Sequence, residues 1–241
     1  MRYLLTITYD GANFCGWQRQ AKSRTIQAEI ERAIEILVKQ SVNVVGSGRT
    51  DAGVNAYAQK AHFDVENEIA DLNKFVYSLN GILPEDVKII SAEQTDVHAR
   101  FSAKNKTYLY KLYLADFIHP LKNKALRVDK NINIKAMEEC AKMLEGNHDF
   151  KNLACVGSEV ESTERTIFSI KFVKKDDDVD IFVSGNGFLY KMVRNIVGLL
   201  LEVGKGNIST QDFHNLAFKG EYPNKKTAPA HALFLYNVEY N

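Results

Sequence analysis

The sequence has little of what marks a secreted, membrane-bound or metal-holding protein. It contains three cysteines and no C-x-x-C pair, which argues against a disulfide framework and fits a reducing compartment. No apolar run approaches the roughly 20 residues that span a bilayer, and the beginning of the chain lacks a signal-peptide pattern. Its six histidines are scattered, without the spacing of a metal motif. These absences predict a cytoplasmic protein in which no local motif encodes a metal site.

An excess of charge of one sign is also missing. The chain has 31 basic and 30 acidic residues, for a net charge of +1. A general nucleic-acid coat is usually strongly basic, so the composition argues against that class but leaves a local basic surface open. Basic residues cluster in the segments "RQAKSR", "ARFSAKNK" and "HPLKNKALR". Each cluster is either a solvated charged face or part of a binding surface.

Hydrophobic periodicity in the first half of the chain predicts alternating strands and helices. Residues 2–9 alternate as a strand, and an apolar stripe at helical spacing follows Thr25 as N-cap. Strands are predicted near "VNVVG", "AYAQKAHFDV" and "VKIISAE". A helix is predicted over 72–80, with Asp71 as N-cap and Gly81 as its end. The expected order is strand, helix, strand, strand, helix, strand.

The second half shows the same kinds of pattern. "KTYLYKLYL" alternates as a strand, and a helix is predicted over 134–145, ending at Gly146. "TIFSIKFV" and "VDIFVSG" form a predicted hairpin around a charged turn. A long helix is predicted over 188–203, and Ser209 with Asp212 marks the start of a short one. "LFLYNVEY" closes the chain as a strand.

This order of elements predicts an α+β fold with antiparallel sheets, because hairpins occur without regular β-α alternation. Two ferredoxin-like halves of the split β-α-β type fit the order. We expect the halves to cover residues 1–100 and 101–241 and to pack together around a central cleft. No linker rich in Pro, Gly or Ser marks the join.

The segment "GSGRTDAGVNA", residues 46–56, is the most unusual loop in the sequence. It lacks the lysine of a phosphate-binding P-loop, and it breaks the dinucleotide-binding glycine pattern with a carboxylate that would repel phosphate. Asp51 is therefore either a turn residue or a reactive group. Arg49 is either part of a surface ion pair or a ligand clamp.

Two further segments combine cations with apolar or aromatic residues. In "GFLYKMVRNIVG", Arg194 lies within an apolar helix and needs a carboxylate or phosphate partner unless it points into water. In "HARFSAKNKTYLYKLY", Tyr108 and Tyr110 share one face of the predicted strand. Tyrosines in a strand pack into a core, or they stack on a nucleotide base while nearby cations hold its phosphates.

These segments occur in order with "YDGANFCGWQRQ", "TIQAEIE", "GNHDF" and "APAHALFL" along nearly the whole chain. In this combination the chain resembles the tRNA pseudouridine synthase A family, and "GRTDAGV" followed by "MVRNIVG" is the most specific part of the likeness. The resemblance implies an isomerase that converts uridines at positions 38, 39 and 40 of the tRNA anticodon stem-loop. It also implies a homodimer with a positive cleft that spans both subunits, and no cofactor or metal.

The resemblance also implies roles for five residues. Asp51 corresponds to the catalytic aspartate of the family, so the half covering 1–100 carries the catalytic loop. Arg49 and Arg194 correspond to residues that bind or orient this aspartate and the target nucleotide. Tyr108 corresponds to the tyrosine that packs on the base, and Leu233 to an apolar residue that lines the pocket.

The chain departs from the family pattern at two of these motifs. Asn55 stands where the family usually has histidine, so that side chain is not an essential acid or base. Ala232 stands where a glycine usually precedes Leu233.

Two alternative functions remain open on the sequence. One is a non-catalytic RNA-binding or RNA-chaperone module on the same α+β frame, and the other is an aspartate-dependent small-molecule hydrolase. The chaperone module would tolerate loss of Asp51, and the hydrolase would not respond to tRNA.

Overall fold

The chain forms a mixed α/β structure of two compact units. The computed structural model describes residues 1–155, 161–219 and 226–240. The first unit comprises Met1–Lys104 with Phe234–Asn241, and the second comprises Asn105–Leu233. Over these described ranges, no helix is both long and apolar enough to cross a membrane.

The described ranges contain ten β-strands and five α-helices. The first half contributes β1 (Arg2–Tyr9), α1 (Ile26–Val38), β2 (Val45–Gly46), β3 (Asn55–Asp64), α2 (Leu72–Ile82) and β4 (Val87–Gln94). The remainder contributes β5 (Asn105–Leu114), β6 (Leu126–Val128), α3 (Ile134–Lys142), β7 (Gly146–Asp149), β8 (Glu164–Lys175), β9 (Asp178–Gly185), α4 (Met192–Gly204), α5 (Thr210–His214) and β10 (Leu233–Glu239).

The sheet of the first unit has the strand order β4-β1-β3-β10, and β2 also pairs with β3. The predicted order from β1 to β4 is confirmed. β1 runs antiparallel to both β3 and β4. β10 instead runs parallel to β3, with Phe234 beside Asn55. The prediction of antiparallel sheets therefore holds for most pairs of this unit but is wrong for the strand from the far end of the chain.

The two helices of the first unit begin where their caps were predicted, but one ends later. Asp71 accepts a hydrogen bond from the backbone N–H of Lys74 and so caps α2. Thr25 occupies the N-cap position of α1 without a side-chain cap bond. The prediction that Gly81 ends α2 is wrong, since the helix continues through Ile82. It ends because Leu83 precedes a proline, which disfavours helical backbone at the residue before it.

The second unit has the strand order β5-β9-β8-β7, with β6 running parallel to β5. β8 and β9 form the predicted hairpin, and Asp176 in its turn has a positive φ of 52°. The short strands β6 and β7 were not predicted as strands. Their sequences, "LRV" and "GNHD", are too short for the alternation of apolar and polar residues to show.

Helix boundaries in the second unit differ from the predicted ones. α3 ends at Lys142 rather than at 145, and Gly146 begins β7 with a φ of +102°. α4 begins at Met192 rather than at 188 because Lys191, at its N-cap, has a left-handed backbone. Ser209 accepts from the backbone N–H of Asp212, which confirms the predicted cap of α5.

Glu202 is a buried carboxylate near the end of α4, with a side chain 6% exposed. It accepts hydrogen bonds from Lys226 Nζ at 2.6 Å, Asn207 Nδ2 at 2.9 Å and Lys205 Nζ at 3.0 Å. Burial by itself raises the pKa of Glu202, but these three donors outweigh it and lower the pKa to about 2. An ionised Glu202 therefore ties the end of α4 to the chain that follows it.

The stability of the second unit is expected to depend on the ionisation of Glu202. Because the folded pKa is about 2 and the ordinary value is 4.5, the stabilisation is complete above pH 4.5 and is lost as the pH falls towards 2. Its size is at most about 3 kcal/mol. Urea unfolding of the wild type and Glu202→Gln from pH 7 to pH 3 tests this. The stability gap between the two proteins should shrink below pH 4.5, and a gap that does not change with pH would contradict the linkage.

Candidate functional site

Asp51 lies half-buried in the loop between β2 and β3, two residues after the exposed Arg49. The residue between them anchors the loop. Thr50 is 6% exposed, its carbonyl accepts from Trp17 N–H at 3.0 Å, and its Oγ1 hydrogen-bonds Tyr9 Oη at 2.8 Å. Backbone and side chain of the residue before Asp51 are thus both held by the body of the first unit.

Both flanks of this loop are fixed as well. On the N-terminal side, Ser47 N–H donates to the Lys60 carbonyl at 2.7 Å and Ser47 Oγ donates to Gln59 Oε1 at 2.6 Å. Gln59 Nε2 in turn donates to the Gly48 carbonyl at 2.9 Å. On the C-terminal side, the Asp51 carbonyl accepts from Val54 N–H at 3.1 Å. The backbone of Asp51 therefore belongs to a turn, and hydrogen bonds fix the chain on both sides of it.

The segment "YDGANFCGWQRQ" packs against this loop. Gly16 has a φ of +90°, and a Cβ there would lie 2.7 Å from the Thr50 carbonyl oxygen. Asn55 is 1% exposed, and its Oδ1 accepts from Gly11 N–H at 3.0 Å. The departure from the family pattern at Asn55 thus places a structural amide there. Sequence reasoning did not assign Gly16, Trp17 or Thr50, although the glycines of this segment are the pattern that indicates a close backbone approach.

Arg194 lies in the first turn of α4, in the second unit, and is partly exposed. Its Nε donates to the Ala228 carbonyl at 2.7 Å, and its own carbonyl accepts from Ala228 N–H at 3.0 Å. One partner of the guanidinium is therefore a backbone carbonyl rather than the carboxylate or phosphate that the sequence suggested. The other guanidinium nitrogens provide further donors in a rigid fork.

Two neighbours of Arg194 on α4 contact the same segment, residues 226–228. Asn195 is 1% exposed; its Oδ1 accepts from Thr227 Oγ1 at 2.7 Å, and its Nδ2 donates to the Leu153 carbonyl at 2.8 Å. A Cβ on Gly198 would lie 1.6 Å from the Lys226 carbonyl oxygen. The "RNIVG" motif thus packs α4 against this segment. Asn195 was not predicted as part of the site, and its spacing from Gly198 on one helix face is the only sequence indication.

Tyr108 and Tyr110 of β5 are both largely buried. Tyr110 is fully buried and its Oη donates to the Pro229 carbonyl at 3.0 Å. Burial raises the pKa of Tyr110, and the positive charge of Arg194 partly opposes this. Tyr108 is 8% exposed and lies edge-to-face with Phe188, at a ring separation of 5.2 Å. Core packing is thus the correct interpretation of Tyr110.

The five predicted site residues belong to both units of the chain. Arg49 and Asp51 share one loop of the first unit. Tyr108 on β5, Arg194 on α4 and the buried Leu233 at the start of β10 belong to the second. Within the part of the chain that the structure describes, no group of three His, Cys, Asp or Glu side chains is placed to hold a metal ion.

Comparison with known proteins gives a consistent result over the full chain. A family model described as tRNA pseudouridine synthase matches residues 5–102 and 140–241. The chain is 39% identical over 241 residues to tRNA pseudouridine synthase A of Ruminiclostridium cellulolyticum, covering 98% of each protein. It is 40% identical over 244 residues to tRNA pseudouridine synthase A of Anoxybacillus flavithermus, covering 100% of this chain and 99% of the relative.

Similarity to solved structures is weaker. A chain from the crystal structure of a Cbf5-Nop10-Gar1 complex aligns with a TM-score of 0.36 and 14% sequence identity. The alignment covers 82% of this chain and 54% of that one.

Proposed function

The chain belongs to the tRNA pseudouridine synthase family, and from this premise we propose that Asp51 is its catalytic residue. The protein is an isomerase that converts uridine in tRNA to pseudouridine. Its substrate-binding residues are Arg49, Tyr108, Arg194 and Leu233, which contact the target nucleotide. The observation that supports the assignment best is the fixed loop around Asp51, in which Thr50 is bound through both its backbone and its side chain.

The isomerisation has modest chemical requirements. The bond between ribose C1′ and uracil N1 breaks, the base rotates, and C1′ forms a new bond to C5. N1 gains a proton and C5 loses one, so that no atoms or electrons are exchanged with a cofactor. A carboxylate that acts as nucleophile or base is sufficient protein chemistry for these steps. A loop that holds Asp51 in place before substrate arrives provides the positioning that such a group needs.

The target uridine must leave its base stack before any carboxylate can reach it. Unstacking and unpairing cost a few kcal/mol. Stacking of Tyr108 on the flipped base offsets part of this cost, since base–aromatic stacking is worth about 1–3 kcal/mol. Arg49 and Arg194 hold the nucleotide and its phosphates through charge-assisted hydrogen bonds, and Leu233 provides an apolar wall.

The uridines modified are those at positions 38, 39 and 40 of the anticodon stem-loop. We expect tRNA transcripts that carry a single uridine at one of these positions to be converted, and a transcript with all three replaced by cytidine to remain unmodified. Carbodiimide adduct formation followed by primer extension locates each pseudouridine. Conversion elsewhere in the triply substituted transcript would contradict this assignment without contradicting the isomerase activity.

We propose further that the units are ferredoxin-like, that the enzyme is a homodimer and that it acts in the cytoplasm. In the first unit, the adjacency of β4, β1, β3 and β2 supports the split β-α-β arrangement. In the second unit, β5, β9 and β8 are neighbours in the sheet. The strands and helices of this unit follow one another along the chain in an order comparable to that of the first unit. Sedimentation equilibrium of the full chain would distinguish a dimer from a monomer.

A further inference from the structure

A tight turn between β4 and β5, residues 98–102, displays an aromatic side chain to solvent. Phe101 is 77% exposed, although the turn that carries it is firmly held. A single exposed aromatic residue has no special meaning by itself. Whether Phe101 can serve as a binding contact depends on how its backbone is fixed and on which groups surround the ring.

The buried side chain of His62 and the partly buried side chain of Tyr240 bind the backbone of this turn. Ala99 is fully buried. Its N–H donates to His62 Nδ1 at 3.1 Å, and its carbonyl accepts from Tyr240 Oη at 3.0 Å. Burial, with smaller contributions from neighbouring charges, lowers the pKa of His62 to about 4. The imidazole is therefore neutral at physiological pH and has a nitrogen lone pair to accept the Ala99 bond.

The turn is also closed upon itself. Ser102 N–H donates to the His98 carbonyl at 3.0 Å, and His98 N–H donates to Ser102 Oγ at 3.2 Å. His98 Nδ1 accepts from the backbone N–H groups of both Arg100 and Phe101, each at 3.2 Å. The backbone at Phe101 is thus fixed before any ligand binds, which lowers the entropic cost of a contact there.

Phe101 is the outermost ring of a column of three. The rings of His62 and His98 lie 4.5 Å apart, and those of His98 and Phe101 stack at 4.4 Å with an interplanar angle of 28°. The guanidinium carbon of Arg100 lies 5.7 Å from the Phe101 ring centre. Residues 97–115 include four lysines and arginines and no carboxylate. The column therefore ends in an exposed aromatic ring with a guanidinium over it, a combination that suits a nucleobase and its phosphates.

We propose, on the basis of the tRNA-modifying function above, that Phe101 is a stacking platform for an unpaired base of the bound tRNA. Arg100 and Lys104, both exposed, contact the phosphates on either side of that base. The charge around the turn favours a polyanion over an apolar protein surface. This contact gives the protein a tRNA-binding surface in addition to the five residues assigned to the target nucleotide. Phe101 takes no part in the chemical step.

Binding of tRNA to variants of Phe101 tests the platform. Phe101→Ala should weaken tRNA binding about tenfold in a filter-binding or polarisation assay, and Phe101→Tyr should stay within about twofold of wild type because it keeps the ring. Tyr77→Ala is the matched control, since Tyr77 is 81% exposed on α2 of the same unit. Its tRNA affinity should equal that of the wild type.

A fluorescent variant reports stacking directly. The chain's one tryptophan, Trp17, is 2% exposed, so an added tryptophan at the surface is distinguishable from it. Phe101→Trp emission should be quenched as tRNA saturates, and Tyr77→Trp emission should not.

Unchanged tRNA affinity of Phe101→Ala, with or without an altered oligomeric state, would contradict the platform. If Asp51→Asn still binds tRNA, that result contradicts the platform alone. If the wild type does not bind tRNA, the proposed function is contradicted as well.

Discussion

Asp51→Asn is expected to lower the rate of pseudouridine formation at least about a thousandfold. Asparagine has the shape of aspartate but supplies neither a nucleophilic nor a basic oxygen anion. The Asp51 carbonyl would still accept from Val54 N–H, and Thr50 would still be anchored to Trp17 and Tyr9. The loop should therefore keep its conformation while its chemistry is lost. Chromatography of nucleosides from digested tRNA measures the rate.

Asp71→Asn is the matched control for this substitution. It removes one carboxylate from the same unit, at the N-cap of α2, where asparagine caps about as well as aspartate. Its rate should equal that of the wild type. Both variants should unfold within about 4 °C of the wild type, the shift that about 1 kcal/mol produces in a chain of this size. An Asp51→Asn protein with a rate near that of the wild type would remove Asp51 from the mechanism.

Gly198→Ala is expected to destabilise the protein, although glycine to alanine within a helix normally stabilises by about 1 kcal/mol. The added Cβ would lie 1.6 Å from the Lys226 carbonyl oxygen and 2.8 Å from its carbon. The segment 226–228 must therefore move away from α4. Overpacking of this kind costs about 1–3 kcal/mol. Since Ala228 holds Arg194, activity should fall as well.

Gly81→Ala provides the opposite expectation within a helix of the same protein. Gly81 lies inside α2, and nothing approaches within 4 Å of the position its Cβ would take. The substitution should raise the free energy of unfolding by about 1 kcal/mol. Urea unfolding of both variants gives the comparison. A stabilised Gly198→Ala protein would show that α4 does not pack on residues 226–228 as described.

Much of the fold was predictable because its elements are locally encoded. β1, α1 and the β8–β9 hairpin follow from alternation, helical spacing and the charged turn. Boundaries were less predictable because they depend on a few backbone conformations. Lys191 delays the start of α4 through a left-handed backbone, which nothing in "FLYKMV" indicates. The parallel pairing of β10 with β3 brings together residues about 180 positions apart in the chain, and no local sequence pattern indicates such a pairing.

The features of the candidate site likewise divide into those that a short segment encodes and those that depend on residues remote in sequence. Arg49 and Asp51 were singled out because an unusual glycine-flanked carboxylate lies within one short segment, and their proposed roles come from the family resemblance. The groups that hold the site were not found, because their partners are remote in sequence. Asn195 bonds to Leu153 and Thr227, contacts that only the folded chain brings together. A polar side chain in an apolar helix indicates that a buried partner exists but not which one.

The most direct test of the central claim is tritium release from tRNA labelled at uracil C5, with enzyme in excess and at saturating concentration. Formation of the bond between C1′ and C5 expels the label into water, so release counts completed isomerisations. The wild type should release the label of the uridines at positions 38, 39 and 40, and a folded Asp51→Asn protein that still binds tRNA should release none. Equal release by the two proteins would contradict the assignment of Asp51 as the catalytic residue.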